Sequence, residues 1–239
     1  MLNIKPFVFA MLLLSSTPLY AHTLEELRYY SEEFFPYNFT EQEQVSGFSV
    51  ELLALVFKQL GSPMPKVEMV PWARGYSILQ QQSYTVLFST IKTHQRKDYF
   101  KWACPINSAK GQFYGLSDSK LKISQLSDAA SYKIAVIKGQ AIDGYLSNTE
   151  LKDNLHRLKT VEQAFKLLAL RRVDLIALAE QSVVGHESSF KPIYRLFEHQ
   201  YCFAFNRSIS QLELQRFQQA LAQVRESAEF AALFKKYFE

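Results

Sequence analysis

Ser89, Thr90 and Arg96 are the residues whose types and spacing point first to chemistry. They lie within the stretch VPWARGYSILQQQSYTVLFSTIKTHQRKDYFKWACPI, residues 70–106. The apolar run Val86-Leu87-Phe88 reads as a buried strand, with Ser89-Thr90 at its carboxyl end. In open α/β sheets that end is where ligands bind. Arg96 follows on a short polar loop, and its planar fork suits a carboxylate because two parallel N–H···O bonds match the geometry. The three residues together suit holding the acidic group of a small solute. The plain alternative is a surface arginine between Lys92 and Lys97.

Other chemistry is thin. His22, His94, His156, His186 and His199 show no HExxH spacing. There is no Gly-x-Ser-x-Gly elbow and no Gly-Lys-Ser/Thr phosphate loop. Asp143, Asp174, Glu180 and Glu187 are scattered, so no acid/base pair is visible, and no metal or cofactor is expected. The 27 Lys and Arg against 23 Asp and Glu are spread without a basic block, which argues against nucleic acid or an anionic membrane as partner. A hydrophobic content of 48% with 14% aromatics supports a substantial core.

The first 21 residues read as an address. Lys5, the apolar run Pro6–Leu14 and the small Ala21 fit a secretory signal peptide cleaved before His22. The apolar run is too short for a membrane span, which wants roughly 20 residues. Removing Lys5 leaves 26 basic against 23 acidic residues, a net of +3. The expectation is an exported protein, periplasmic in a Gram-negative cell. In that oxidising compartment Cys104 and Cys202 read as a disulfide; the alternative is two buried thiols packed as small hydrophobes.

The elements that must position the site follow in order. Leu24–Ser31 is strand-like, and Pro36 keeps the aromatic cluster Phe34–Phe39 on a loop. That loop, Tyr37 included, either walls a cleft or packs on the core. Gly47-Phe48 opens a helix over Ser49–Leu60, stopped at Gly61. Lys66–Val70 is a strand and Trp72–Gln82 a helix. Trp72, at that helix start, is placed to offer a stacking face. Arg74 is either a second anion holder or a solvated helix charge, and residues two apart on a helix point in different directions. The aromatic strand ends at Pro105, and the pattern restarts with a strand at Lys110–Leu116, a polar connector at Leu121–Ala130 and a strand at Tyr132–Ile137. Gly139-Gln140-Ala141 then presents backbone N–H groups at a helix start. Capping boxes at Thr160–Gln163 and Ser210–Glu213 open further helices. Between them lie strands at Val173–Leu178, Pro192–Leu196 and Gln200–Phe205, and the last helices break near Ser227.

With these motifs in order, the chain resembles the bacterial extracellular solute-binding proteins of family 3, the periplasmic polar-amino-acid binders of ABC transporters. The resemblance rests on FSTIKTHQRKDYFKWACPI (residues 88–106), FFPYNF, GFSVELLALVFKQLG, KIAVIKGQAIDGYL, RRVDLIAL and YCFAFNRS. It implies a two-lobed α/β fold, each lobe a mixed sheet flanked by helices and joined by two crossing hinge strands. The first lobe would comprise residues 22–107 and 202–239, and the second residues 108–201. Cys104 and Cys202 would sit on the crossing strands, where a bridge closes a long loop worth about 4–5 kcal/mol in the chain-entropy model.

The resemblance also implies a ligand site. Arg96, Ser89, Thr90, Trp72, Tyr37 and Arg74 would come from the first lobe, and Gln140 and Ala141 from the second. Where amino-acid binders carry an ammonium-holding aspartate, this chain has Ala179, with Glu180 one residue late. The implied function is to clamp a small carboxylate-bearing solute, an amino acid or a relative, for an ABC permease, as a monomer. Two alternatives share the fold: a ligand sensor reporting to a membrane receptor, and an enzyme resembling cyclohexadienyl dehydratase. The enzyme would need a cleft carboxylate with a raised pKa.

Overall fold

The structure, a computed structural model, describes residues 22–238; the expected signal peptide lies outside the described residues. Strands are β1 (Arg28–Ser31), β2 (Phe39–Glu41), β3 (Gln44–Ser46), β4 (Val67–Met69), β5 (Thr85–Ile91), β6 (Lys101–Leu116), β7 (Ile134–Ile137), β8 (Leu155–Leu158), β9 (Leu175–Ala179) and β10 (Phe190–Phe205). Helices are α1 (Phe48–Leu60), α2 (Trp72–Gln81), α3 (Ala141–Leu146), α4 (Val161–Ala169), α5 (Gln211–Arg225) and α6 (Ala228–Phe238).

Eight strands form one mixed sheet in the order β4-β1-β5-β10-β6-β9-β7-β8. Its outer thirds are parallel, β1 with β4 and β5, and β7 with β8 and β9. The middle is antiparallel: β10 pairs with β5 and β6, and β6 with β9. Both central strands are 16 residues long, which at 3.2–3.4 Å per residue spans about 50 Å. The start of β6 pairs with Phe203–Phe205, and its far end, Gly111–Tyr114, pairs with β9. These two strands therefore run through both halves of the sheet.

The sequence reading ended one strand at Pro105 and began another at Lys110, and it likewise divided β10 in two. The structure corrects both. Proline lacks a ladder N–H and is tolerated at bulges, and the register slips here: Tyr201 faces Asn107, Phe203 faces Ala103, and only Cys202 stands opposite residues 104–106. The strand continues through its proline. At the same place Cys104 and Cys202 form the expected disulfide, with Cα atoms 4.6 Å apart.

Packing follows the strand alternation. On β5, Val86 and Phe88 face the core under α1 and α5, while Leu87 faces the cluster of Leu79 and Trp102 beneath α2. On β7, Ile134 and Val136 join Leu146 of α3, and Ala135 and Ile137 join Leu168 of α4. Gly61 ends α1 in the left-handed conformation (φ +71°), its N–H bonded to carbonyls of the last turn, as the stop signal predicts. The Ser210 and Thr160 side chains cap α5 and α4 by accepting from Glu213 N and Gln163 N. Among the described residues no helix is long and apolar enough to cross a membrane.

Candidate functional site

A cavity lies between the two halves, at the carboxyl ends of β1 and β5, and contains about 420 Å³ of empty space, part of it open to solvent. Its first wall is built by an irregularity in β5. Thr90 pairs with Cys202 and Leu87 with Ala204, so Phe88 and Ser89 together stand opposite Phe203. Ser89 takes the left-handed conformation (φ +55°) to achieve this. Such bulges re-aim side chains next to functional sites, and Ser89 lines the cavity. Its hydroxyl is hydrogen-bonded to Asn38 Oδ1 and lies 2.9 Å from Ser49 Oγ. Thr90 turns the other way: it is buried, donates to the Leu87 carbonyl at 3.2 Å, and does not line the cavity.

Arg96 closes a short turn whose N–H donates to Thr93 Oγ1 (3.2 Å). Its guanidinium lies 5.2 Å from the Trp72 ring centroid and 5.0 Å from that of Tyr76. These two residues are four apart on α2 and stack at 5.6 Å, so one helix face supplies both rings for a cation–π seat. Arg96 is 8% exposed. Nη2 donates to the Gly139 carbonyl at 2.9 Å, and Nη1 has no hydrogen-bond partner among the described residues. Burial loosens the proton on this guanidinium, opposed by Tyr76 and the Glu32 carboxylate. Arg74 is exposed on another face of α2 and does not line the cavity. The solvated-charge alternative describes its position.

The second wall begins at Gly139, whose carbonyl accepts from Arg96 and from Trp72 Nε1 (3.1 Å). Gly139 has φ +78°, a region glycine enters without a Cβ clash. Asp143 holds the turn from behind, accepting from Gly139 N (2.9 Å) and from Arg157 Nε (2.9 Å). Gln140, Ala141, Ile142, Ala179 and Ser182 complete this wall.

Tyr37 lies in the core, its hydroxyl accepting from Asn107 Nδ2 at 3.0 Å; the neighbouring Phe34 lines the cavity instead. The aromatic loop thus does both things foreseen for it, through different residues. Glu180 is placed outside the cavity, 3.4 Å from Lys110 Nζ and 3.5 Å from Gln112 Nε2. Of the positions read from sequence, Arg96, Ser89, Trp72, Gln140 and Ala141 come together around the cavity, while Thr90, Tyr37, Arg74 and Glu180 do not.

Sequence reasoning missed Glu32 and Tyr201, both of which line the cavity. Glu32 directly follows β1, at the strand end where ligands are expected, so a signal was available. Burial pushes its carboxyl up to about 8, with Arg96 opposing. For Tyr201, inside what read as a plain return strand, there was no signal. Burial raises its phenol well above the usual range. No cluster of three or more His, Cys, Asp or Glu suited to a metal occurs among the described residues.

The family model for bacterial extracellular solute-binding proteins, family 3, matches residues 29–239. No curated protein matches the chain. A histidine kinase sensor domain with similarity to periplasmic binding proteins superposes with a TM-score of 0.80 at 20% identity, covering 90% of this chain and 97% of that one. An ancestral arginine-binding protein bound to arginine gives 0.76 at 20% identity, over 89% and 98%. An ancestral amino-acid-binding protein described as a precursor of cyclohexadienyl dehydratase gives 0.72 at 19% identity, over 89% and 95%. At these identities the likeness concerns the fold.

Proposed function

Because the chain belongs to the bacterial extracellular solute-binding proteins, family 3, we propose that it binds a small solute by a carboxylate held on Arg96 and hands it to an ABC-type permease. The reading includes export, a site in the periplasm, and two lobes, residues 22–107 with 202–239 and residues 108–201, closing about β6 and β10. The solute is an amino acid or a relative of one.

The observation that carries this reading is the Arg96 guanidinium, buried in the cavity with Nη1 unpartnered. A charged donor left unpaired in a buried site costs more than the roughly 1–3 kcal/mol of a neutral one. A ligand carboxylate would remove that cost, with Ser89 on the same wall. Gly139 O accepts from Arg96 and Trp72, so the group proposed to hold the ligand also touches the opposite wall.

The likeness to a histidine kinase sensor domain supports a second reading, in which the same closure reports to a membrane partner. The dehydratase-like alternative finds in Glu32 the raised carboxyl it needs. A thermal-shift screen of the protein from His22 onward against amino acids and mono- and dicarboxylic acids tests the main reading. A probe at 100 times its Kd adds about 2.7 kcal/mol of stability. A clear rise in Tm with a carboxylate probe recovered unchanged is the expected result; no shift with any carboxylate would overturn it, and turnover of a cyclic acid would favour the enzyme.

A further inference from the structure

Tyr201 is 2% exposed, lines the cavity, and its hydroxyl has no hydrogen-bond partner among the described residues. Buried phenols usually find a partner. The ring is fixed by contact with Tyr37 (4.8 Å) and Phe34 (5.5 Å between centroids). It stands on β10, next to the disulfide and paired with Ile91 of β5 and Asn107 of β6. The hydroxyl is therefore held by a rigid frame rather than free to swing toward a partner elsewhere.

We propose that Tyr201 is a specificity-determining residue, whose hydroxyl completes with the Glu32 carboxyl a second polar pole that takes a donor nitrogen of the bound solute. This rests on the reading that Arg96 holds the solute's carboxylate. The nitrogen needs acceptors, and the second wall supplies no acidic one: Ala179 and Ile142 line it, while Glu180 is engaged with Lys110 and Gln112 outside the cavity. Glu32 is the carboxyl that lines the cavity. It enters from the end of β1 and Tyr201 from β10, the two strands that flank β5 in the sheet, so both groups face the same cavity. A carboxyl and a phenolic oxygen can both accept N–H bonds, so an ammonium, guanidinium or amide nitrogen would satisfy both. A cationic nitrogen would also favour ionisation of a carboxyl that burial now holds near 8.

Isothermal titration with the L-amino acids and, for each, the matched acid lacking the α-nitrogen tests this, using the natural protein, Tyr201→Phe, Glu32→Gln and Arg96→Ala. The expected result is that a nitrogen-bearing probe binds the natural protein, that Tyr201→Phe weakens it by about fivefold to tenfold, and that the same change leaves the matched acid within about twofold. Glu32→Gln should show the same selectivity. Because the hydroxyl is unpaired without ligand, Tyr201→Phe should leave the ligand-free Tm unchanged or higher; a lower Tm overturns the unpaired assignment. Loss of binding in Arg96→Ala combined with no discrimination in Tyr201→Phe overturns the second pole alone, as does binding confined to nitrogen-free acids. Unchanged binding in Arg96→Ala, or no binding by any probe, overturns the carboxylate reading and this inference with it.

Discussion

The wall that the cavity takes from the β4-β1-β5 side carries Glu32, Ser89, Arg96 and Trp72; the wall facing it carries Gln140, Ala141, Ile142, Ala179 and Ser182. One side holds the guanidinium, the carboxyl and the aromatic face. The other is neutral, and its strongest polar feature is a backbone carbonyl, that of Gly139, set by Asp143 and Arg157. On the proposed function, recognition and closure are divided between the halves: a charged solute would be neutralised on the first wall, and the second would add apolar contact and the hydrogen bonds at Gly139.

That contrast can be broken most decisively at Arg96. Arg96→Ala should lower the affinity for a carboxylate probe at least about 100-fold, the loss expected when one partner of a buried charge pair is removed. Gln140→Ala should cost less than about tenfold, the range of a single neutral hydrogen bond. Titration calorimetry on both variants checks this, and comparable losses would show that the walls share the charge reading.

The next effect is on stability and comes from Glu32. Its carboxyl ordinarily titrates at 4.5 and is pushed up to about 8 in the folded protein. The folded state keeps a proton that the unfolded chain releases, so this group's stabilising contribution is whole below about 4.5 and is lost as pH rises toward 8. Thermal melts between these limits should show the natural protein losing Tm relative to Glu32→Gln. A gap independent of pH would mean the carboxyl is not desolvated, and the first wall would then carry an ionised carboxylate beside Arg96 at neutral pH.

The smallest effect sharpens the contrast by its absence. Glu180→Gln should change affinity for amine-bearing probes by less than about twofold, because the Glu180 carboxylate lies outside the cavity, against half-buried Lys110 and Gln112. A larger and amine-selective loss in titration would return a charge to the second wall.

Much of the fold was legible because its signals are local. The α1 stripe with Gly61, the Ser210 and Thr160 caps, and the run before Ser89 each act over a few residues, and each lies where the sequence placed it. The hairpin of β2 and β3 and strand β8 were missed because they are short and largely exposed, so no apolar alternation marks them. Arg96 was legible through its chemistry. Thr90 was not separable from Ser89, since only the bulge decides which hydroxyl faces the cavity. Glu180 was chosen for its proximity to Ala179 in sequence, but adjacent residues at a strand end diverge in direction. Tyr201 was illegible: what places it is the pairing of β10 with both β5 and β6, a relation among segments about 100 residues apart.

The two 16-residue strands at the centre of the sheet also set what kind of motion the molecule can make. They lie side by side, laddered along much of their length and joined covalently at Cys104 and Cys202. Sliding one past the other would break register and strain the covalent tie, whereas bending both together at the irregularity beside Pro105 breaks neither. The linkage therefore behaves as a leaf spring with a pin through it, permitting rotation and resisting shear. On the proposed function, an occupant of the cavity that changed that one angle would be felt at the outermost edges of the sheet, where β4 and β8 lie.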